Sequence, residues 1–216
     1  MMEGTIVSEN ATIIRVVAIC GSLRRASFNR GLIRYAEKLC EEDISGMHIE
    51  VVDIGSLPLL NTDLEIDGGY PPVVDSFRRK ILEADSILFA SPEYNYSLSE
   101  TPKTKSNGYL SVGFQSPLKN AIDWASRPPN VMAGKSAAVV SAAGGSAGQR
   151  SQYHLRQVGV FLDLHFINKP ELFILAHKPP KKFDSDGNLI DSEIKQKLKE
   201  LLLSLQFFTF RLQRSQ

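Results

Sequence analysis

Short apolar runs alternate with amphipathic segments along most of the chain. Residues 13–19 are apolar with a β-branched bias, which predicts a buried first strand. From Phe28 to Cys40, Leu32, Ile33, Ala36 and Leu39 recur at the spacing of one helical face. Residues 48–52 read as a second strand. Residues 73–82 read as a helix turning Val73, Val74, Phe77, Ile81 and Leu82 inward. Residues 86–90 (Ser-Ile-Leu-Phe-Ala) read as a third strand that must stop at Pro92, which lacks an amide donor. A helix over 119–126 ends at Pro128-Pro129. A fourth strand covers 136–141, and a helix covers 149–164. The stretch 165–175 holds a fifth strand interrupted by Pro170, and a closing helix spans 192–212.

Five strands alternating with helices predict an α/β fold: a doubly wound, five-stranded parallel sheet with helices on both faces. The strand count fits the flavodoxin-like order 2-1-3-4-5. Right-handed crossovers then gather the loops after the first, third and fourth strands at one edge. The expected organisation is a flexible N-terminus over 1–11, one domain over 12–212 and a tail over 213–216. No internal repeat is visible.

Composition narrows the function classes. A chain of 216 residues with 43% hydrophobic and 23% charged residues is an ordinary soluble type. A net charge of +1 without a basic block gives no case for nucleic acid. Cys20 and Cys40 have neither metal-ligand nor disulfide-framework spacing. A reducing, cytoplasmic compartment is expected, with peripheral membrane association left open. The first ten residues lack a signal-peptide pattern, and no apolar run is long enough to span a bilayer.

Three loops carry candidate chemistry. After the first strand, Gly21, Ser22, Arg24, Arg25, Ser27 and Asn29 precede or open a helix. Hydroxyls, a fixed cation and free helix amides together suit an anion such as a phosphomonoester. The loop lacks the Gly-Lys-Ser/Thr of a P-loop and the Gly-x-Gly-x-x-Gly of a dinucleotide site. Taken alone, an ordinary Ser/Asn helix cap explains it equally well. After the third strand, Pro92, Glu93, Tyr94 and Asn95 offer backbone amides, a ring and a carboxamide to a flat heteroaromatic group. Glu93 is expected as a solvated or backbone-capping carboxylate rather than a proton donor. After the fourth strand, Gly144 and Gly145 permit close backbone approach. No side chain is assigned a catalytic role, and no metal is expected.

These residues resemble a known family. Gly21-Ser22-Leu23-Arg24 with Ser27 and Asn29, the run Pro92 to Ser97, Leu118 to Trp124 and Ser151 to Gln157 are similar to the flavodoxin-like NADPH-dependent FMN reductases. Residues 125–130 and 160–170 resemble the plant-type soluble NAD(P)H:quinone reductases, next to bacterial chromate and quinone reductases. The resemblance implies FMN as cofactor, NADPH or NADH as co-substrate and a quinone acceptor, with ping-pong two-electron transfer. It carries Ser22, Arg24, Ser27 and Asn29 over to the phosphate, Pro92 to Asn95 to the isoalloxazine border, and Gly144-Gly145 to its polar edge. Ala142 stands where relatives often have Ser or Thr, leaving Ser141 as the adjacent hydroxyl. An azo, chromate or flavin reductase remains an alternative, as does a flavin-loaded carrier or partner-binding protein, although the near-neutral charge disfavours a carrier.

Two further expectations concern the surroundings. Arg150, Tyr153 and Glu171 are expected to form a polar network at the contact of a homodimer or homotetramer, and His154 to be a packed or interface residue. Residues 99–115 form a polar stretch, longer than the family's connection between Asn95 and the next helix. It reads as a lid, a neutral insertion or a transcript variant.

Overall fold

The computed structural model describes residues 13–98 and 117–214. The expectations for 1–11 and for the 99–115 stretch fall outside these residues. Strands β1 (Ile14–Cys20), β2 (Met47–Val52), β3 (Ser86–Ala90) and β6 (Ser136–Ala143) pair in parallel in the order β2-β1-β3-β6. The fifth position is filled by two short pieces, β7 (His165–Phe166) and β8 (Leu172–Leu175), both parallel to β6. The break between them contains Pro170, as the sequence predicts. The order 2-1-3-4-5 therefore holds, with its last strand split. A two-residue pair, β4 (Glu93–Tyr94) and β5 (Ser97–Leu98), forms a separate hairpin.

Both faces of the sheet are buried, so alternate strand residues supply two cores. On β1, Ile14, Val16, Ala18 and Cys20 face the side covered by α1 (Phe28–Glu42) and α5 (Ser192–Gln213). Val17 and Ile19 face α2 (Pro72–Glu83), α3 (Pro117–Ser126) and α4 (Gln149–Phe161). The helix α1 buries Leu32, Ile33, Ala36 and Leu39, the face read from spacing.

Several element ends move by one or two residues, β6 running to Ala143 and α1 to Glu42, and three further features differ from the sequence expectation. Helix α4 stops at Phe161, because the chain turns at Asp163 with a positive φ of 57° and cannot remain helical. Helix α5 runs through Gln213, so the tail begins one residue later. Leu82 is 61% exposed rather than inward. The inward place on α2 belongs instead to Arg78, whose side chain reaches the end of α3. Its Nη1 donates to the carbonyls of Trp124 (2.6 Å), Ala125 (3.2 Å) and Arg127 (3.0 Å), and its Nη2 to Pro129 (2.8 Å). The Tyr70 ring lies 4.3 Å from the guanidinium carbon. A cation at a helix C-terminus satisfies carbonyls the helix itself leaves open. The other end of the α3 motif is equally structural: Asn120 bonds Pro58 O and Leu60 N, and Trp124 Nε1 donates to Pro58 O.

The segment after β8 folds back over α1. Phe28 stacks on Phe183 with centroids 4.5 Å apart, and Arg34 donates to Asn188 Oδ1 at 2.8 Å. Gly31 and Gly187 meet where these pieces cross: a Cβ on Gly31 would lie 1.8 Å from the Gly187 carbonyl oxygen. That obstacle is backbone and cannot swing aside. Helix propensity alone predicts that Gly31→Ala stabilises α1 by about 1 kcal/mol. The close approach reverses the sign, at a net cost of about 2 kcal/mol, or a Tm drop of roughly 6 °C. A thermal melt decides between them, and an unchanged or raised Tm would refute the contact.

Candidate functional site

The carboxyl ends of β1, β3, β6 and β8 open on one cleft. Ser22, Arg24, Ser27, Phe28 and Asn29 form one wall, Pro92, Glu93 and Tyr94 a second, and Ala142, Ala143 and Gly144 a third. Eight of the ten sequence-predicted residues meet here; Asn95 and Gly145 do not line it. Ala176 and His177, beyond β8, form a fourth wall that sequence reasoning missed. Its signal was available: the fifth strand also ends at this edge. Gly21 joins the first two walls, since a Cβ there would stand 3.1 Å from Pro92 Cδ and 3.2 Å from Leu118 Cβ.

The first wall is built for an anion. Ser27 occupies the N-cap position of α1 with extended backbone, yet its hydroxyl makes no capping bond, and no acidic residue stands in the first turn. Ser27 is only 3% exposed. The helix amides and their partial positive charge are thus left for another acceptor. Arg24 is exposed, with its guanidinium carbon 5.7 Å from the Phe28 ring centroid. Asn29 is tied down on both sides: Nδ2 donates to Ala142 O and Oδ1 accepts from Ala142 N, each at 2.9 Å. Its carboxamide clamps β6 to α1 and keeps one Nδ2 hydrogen for a ligand.

Ser141 does not replace a hydroxyl at position 142. It is buried, donating to Ala147 O at 2.7 Å and accepting from Gln152 Nε2 at 2.8 Å. The glycine requirement in the third loop is also displaced. A Cβ on Gly144 or Gly145 would meet nothing within 4 Å, whereas one on Gly148 would strike Ser141 Cβ at 2.4 Å. Gly148 has φ 84° and is the N-cap of α4, so it offers no side chain to the helix amides.

Glu93 fills that gap from the second wall. Its Oε2 accepts from the amides of Arg150 (3.0 Å) and Ser151 (3.4 Å), and its Oε1 from Ser146 Oγ (2.5 Å) and Arg150 Nη1 (3.2 Å). The carboxylate is a remote N-cap of α4, in keeping with the backbone-capping expectation. Burial disfavours its charge, but the Ser146 hydroxyl, the Arg150 guanidinium and the two amides outweigh this and hold its pKa below the ordinary glutamate value.

The hairpin between β4 and β5 turns at Asn95 and Tyr96, with φ 48° and 66°. Two left-handed residues match the twist of a tight hairpin, and Asn is favoured in such a turn. Tyr96 is not, but its ring lies 3.9 Å from the Arg150 guanidinium carbon. His154 is exposed and bonded to Ser97 Oγ through Nδ1 (3.0 Å), rather than packed away. The expected trio of Arg150, Tyr153 and Glu171 divides. Arg150 serves Glu93 and Tyr96, while Tyr153 donates to Glu171 Oε1 at 3.2 Å and Lys169 Nζ to Oε2 at 2.8 Å.

Removing the Glu93 carboxylate should leave α4 uncapped and Arg150 unpaired. Glu93→Ala is expected to cost about 2 kcal/mol at neutral pH, lowering Tm by roughly 4–8 °C. Because the folded pKa is depressed, this contribution is present above the ordinary glutamate range and lost as pH falls through the lowered value. The Tm gap between wild type and variant should therefore close in acid. Equal melting at neutral pH would show that the cap contributes nothing.

The family model described as NADPH-dependent FMN reductase matches residues 14–103 and 113–178, leaving out only 104–112 within the expected extra stretch. A probable NADPH:quinone oxidoreductase 2 of Oryza sativa subsp. japonica is 61% identical over 212 residues, covering 98% of this chain and 95% of its own length. The NADPH:quinone oxidoreductase of Arabidopsis thaliana is 60% identical, with 93% of this chain and 94% of its own covered. Among solved structures, FerB, a flavoenzyme NAD(P)H:(acceptor) oxidoreductase from Paracoccus denitrificans, superposes with a TM-score of 0.72 at 27% identity, covering 94% of this chain and 98% of that one. The chain belongs to the NADPH-dependent FMN reductase family.

Proposed function

We propose that this chain is an FMN-dependent oxidoreductase carrying hydride from NAD(P)H to quinones. One observation carries the reading. A buried hydroxyl, Ser27, stands uncapping at an acid-free helix N-terminus, in one cleft with Pro92, Tyr94 and Gly144. An anion fits the first end, and a flat ring fits the second, where the third loop leaves open space along its glycines. The names of the rice and Arabidopsis relatives support NADPH as donor and a quinone as acceptor.

FMN bound here supplies two-electron hydride chemistry. Ser22, Arg24, Ser27 and the helix amides hold its phosphate, with the spare Asn29 hydrogen beside them. Pro92 and Tyr94 border the ring system, and Gly144 admits its polar edge. Glu93 acts one step back, holding the second and third walls together through Ser146 and Arg150. Tyr94, 53% exposed, stands at the open side where donor and acceptor alternate. Asn95 and Gly145 receive no contact role.

Purified protein should be yellow or take up FMN, and should oxidise NADPH steadily with a benzoquinone. Ser27→Ala should weaken FMN binding roughly tenfold or more, the loss of one hydrogen bond to a charged group. A colourless protein that cannot be reconstituted with FMN would sink the proposal.

We further propose a cytoplasmic homodimer or homotetramer. No helix among the described residues is long and apolar enough to cross a membrane. Val160 and Phe161, 82% and 89% exposed in the last turn of α4, support self-association. Val160→Asp with Phe161→Asp should shift the sedimenting mass down towards the 23.9 kDa chain. Wild-type protein that already sediments as a monomer would reject assembly.

A further inference from the structure

The fourth wall of the cleft carries an imidazole. His177 lies just beyond β8, at the same sheet edge as the other three loops, and lines the cleft with Ser22, Arg24 and Ser27. Its place along the cleft is fixed by a shared neighbour. The His177 and Phe28 ring centroids are 5.6 Å apart, and the Arg24 guanidinium carbon is 5.7 Å from the same Phe28 ring. Phe28 is the first residue of α1. His177 and Arg24 therefore both stand against the helix N-terminus, at the end of the cleft suited to an anion.

The segment carrying His177 is braced rather than loose. Phe28 touches both rings, with His177 tilted at 60° and Phe183 stacked at an interplanar angle of 18°. A little further on, Gly187 presses on the Ala26 and Ser27 carbonyls: a Cβ there would lie 2.7 Å from Ala26 O and 3.1 Å from Ser27 O. The chain after β8 is thus packed on the loop that forms the first wall. His177 is solvent-exposed, and no hydrogen bond ties its ring nitrogens to described residues.

We propose that His177 is a further ligand-binding residue of this site, an imidazole donor to the phosphate of FMN supplied from the fifth strand. The proposal rests on the FMN reading above. A ring nitrogen adds a directional donor against the same Phe28 ring that Arg24 approaches.

The test compares FMN with riboflavin, which lacks the phosphate, by flavin fluorescence titration of the full-length apoprotein. His177→Phe keeps an aromatic ring against Phe28 and removes the donor; His177→Ala removes both. Each should raise the Kd for FMN about tenfold, the lower end for one hydrogen bond to a charged group, and leave the Kd for riboflavin unchanged. Three outcomes overturn the inference while leaving the FMN reading intact. The variants could keep wild-type preference for FMN over riboflavin, they could lose affinity for both flavins equally, or His177→Phe could restore what His177→Ala loses. Wild-type protein that binds neither flavin would instead remove the FMN reading, and this inference with it.

Discussion

Helix α4 begins at a residue that cannot cap it, and much of the cleft follows from how that is resolved. Gly148 must be glycine because its backbone is left-handed and Ser141 occupies the space a side chain would need. The Arg150 and Ser151 amides of its first turn consequently lack a local acceptor, and Glu93 supplies one from more than fifty residues earlier. Because Glu93 also opens the β4–β5 hairpin, the helix cannot be capped without drawing the second wall against the third. Ser146 joins the same carboxylate from within the glycine loop. One charged group thus holds three segments that would otherwise be independent surface loops.

The two ends of the cleft are held by different means. The anion end rests on packing: Asn29 laces α1 to β6 through both atoms of its amide, and the return segment over Gly31 covers the outside of the helix. The ring end rests on electrostatics, through Glu93, Arg150 and the turn they stabilise. This division matches what each end must do. Recognition of a small anion needs fixed donors, while a surface that receives different planar partners in turn needs support from behind and an open front.

Much of this arrangement was legible in the residues. Ser86–Ala90 is a strand with the bounds its apolar run implies, and Pro170 interrupts the fifth strand where a missing amide would interrupt it. Local periodicity reports such elements because each is decided by residues within a few positions. The illegible parts depend on partners distant in the chain. Arg78 in a helical pattern reads as a solvated residue until four carbonyls from the end of α3 arrive to satisfy it. Asn29 reads as a ligand donor, and the strand that takes most of its capacity is 113 residues away. Gly144-Gly145 draws the eye as a pair, yet the crowded glycine is Gly148. His177 has no motif around it and gains meaning only from the sheet edge it shares.

The chain contains two cysteines. Cys20 ends β1 in the core, where burial pushes its thiol up to about 11, and in the last turn of α1 partial burial and the neighbouring Glu37 and Glu41 push Cys40 to about 12. Quinones are electrophiles that arylate thiolates, and the thiolate is the reactive form. The raised value keeps Cys20 in the thiol form at neutral pH, at the end of a strand whose neighbouring loop lines the proposed cleft. Burial thus keeps Cys20 in its unreactive thiol form one residue from the loop that begins the first wall.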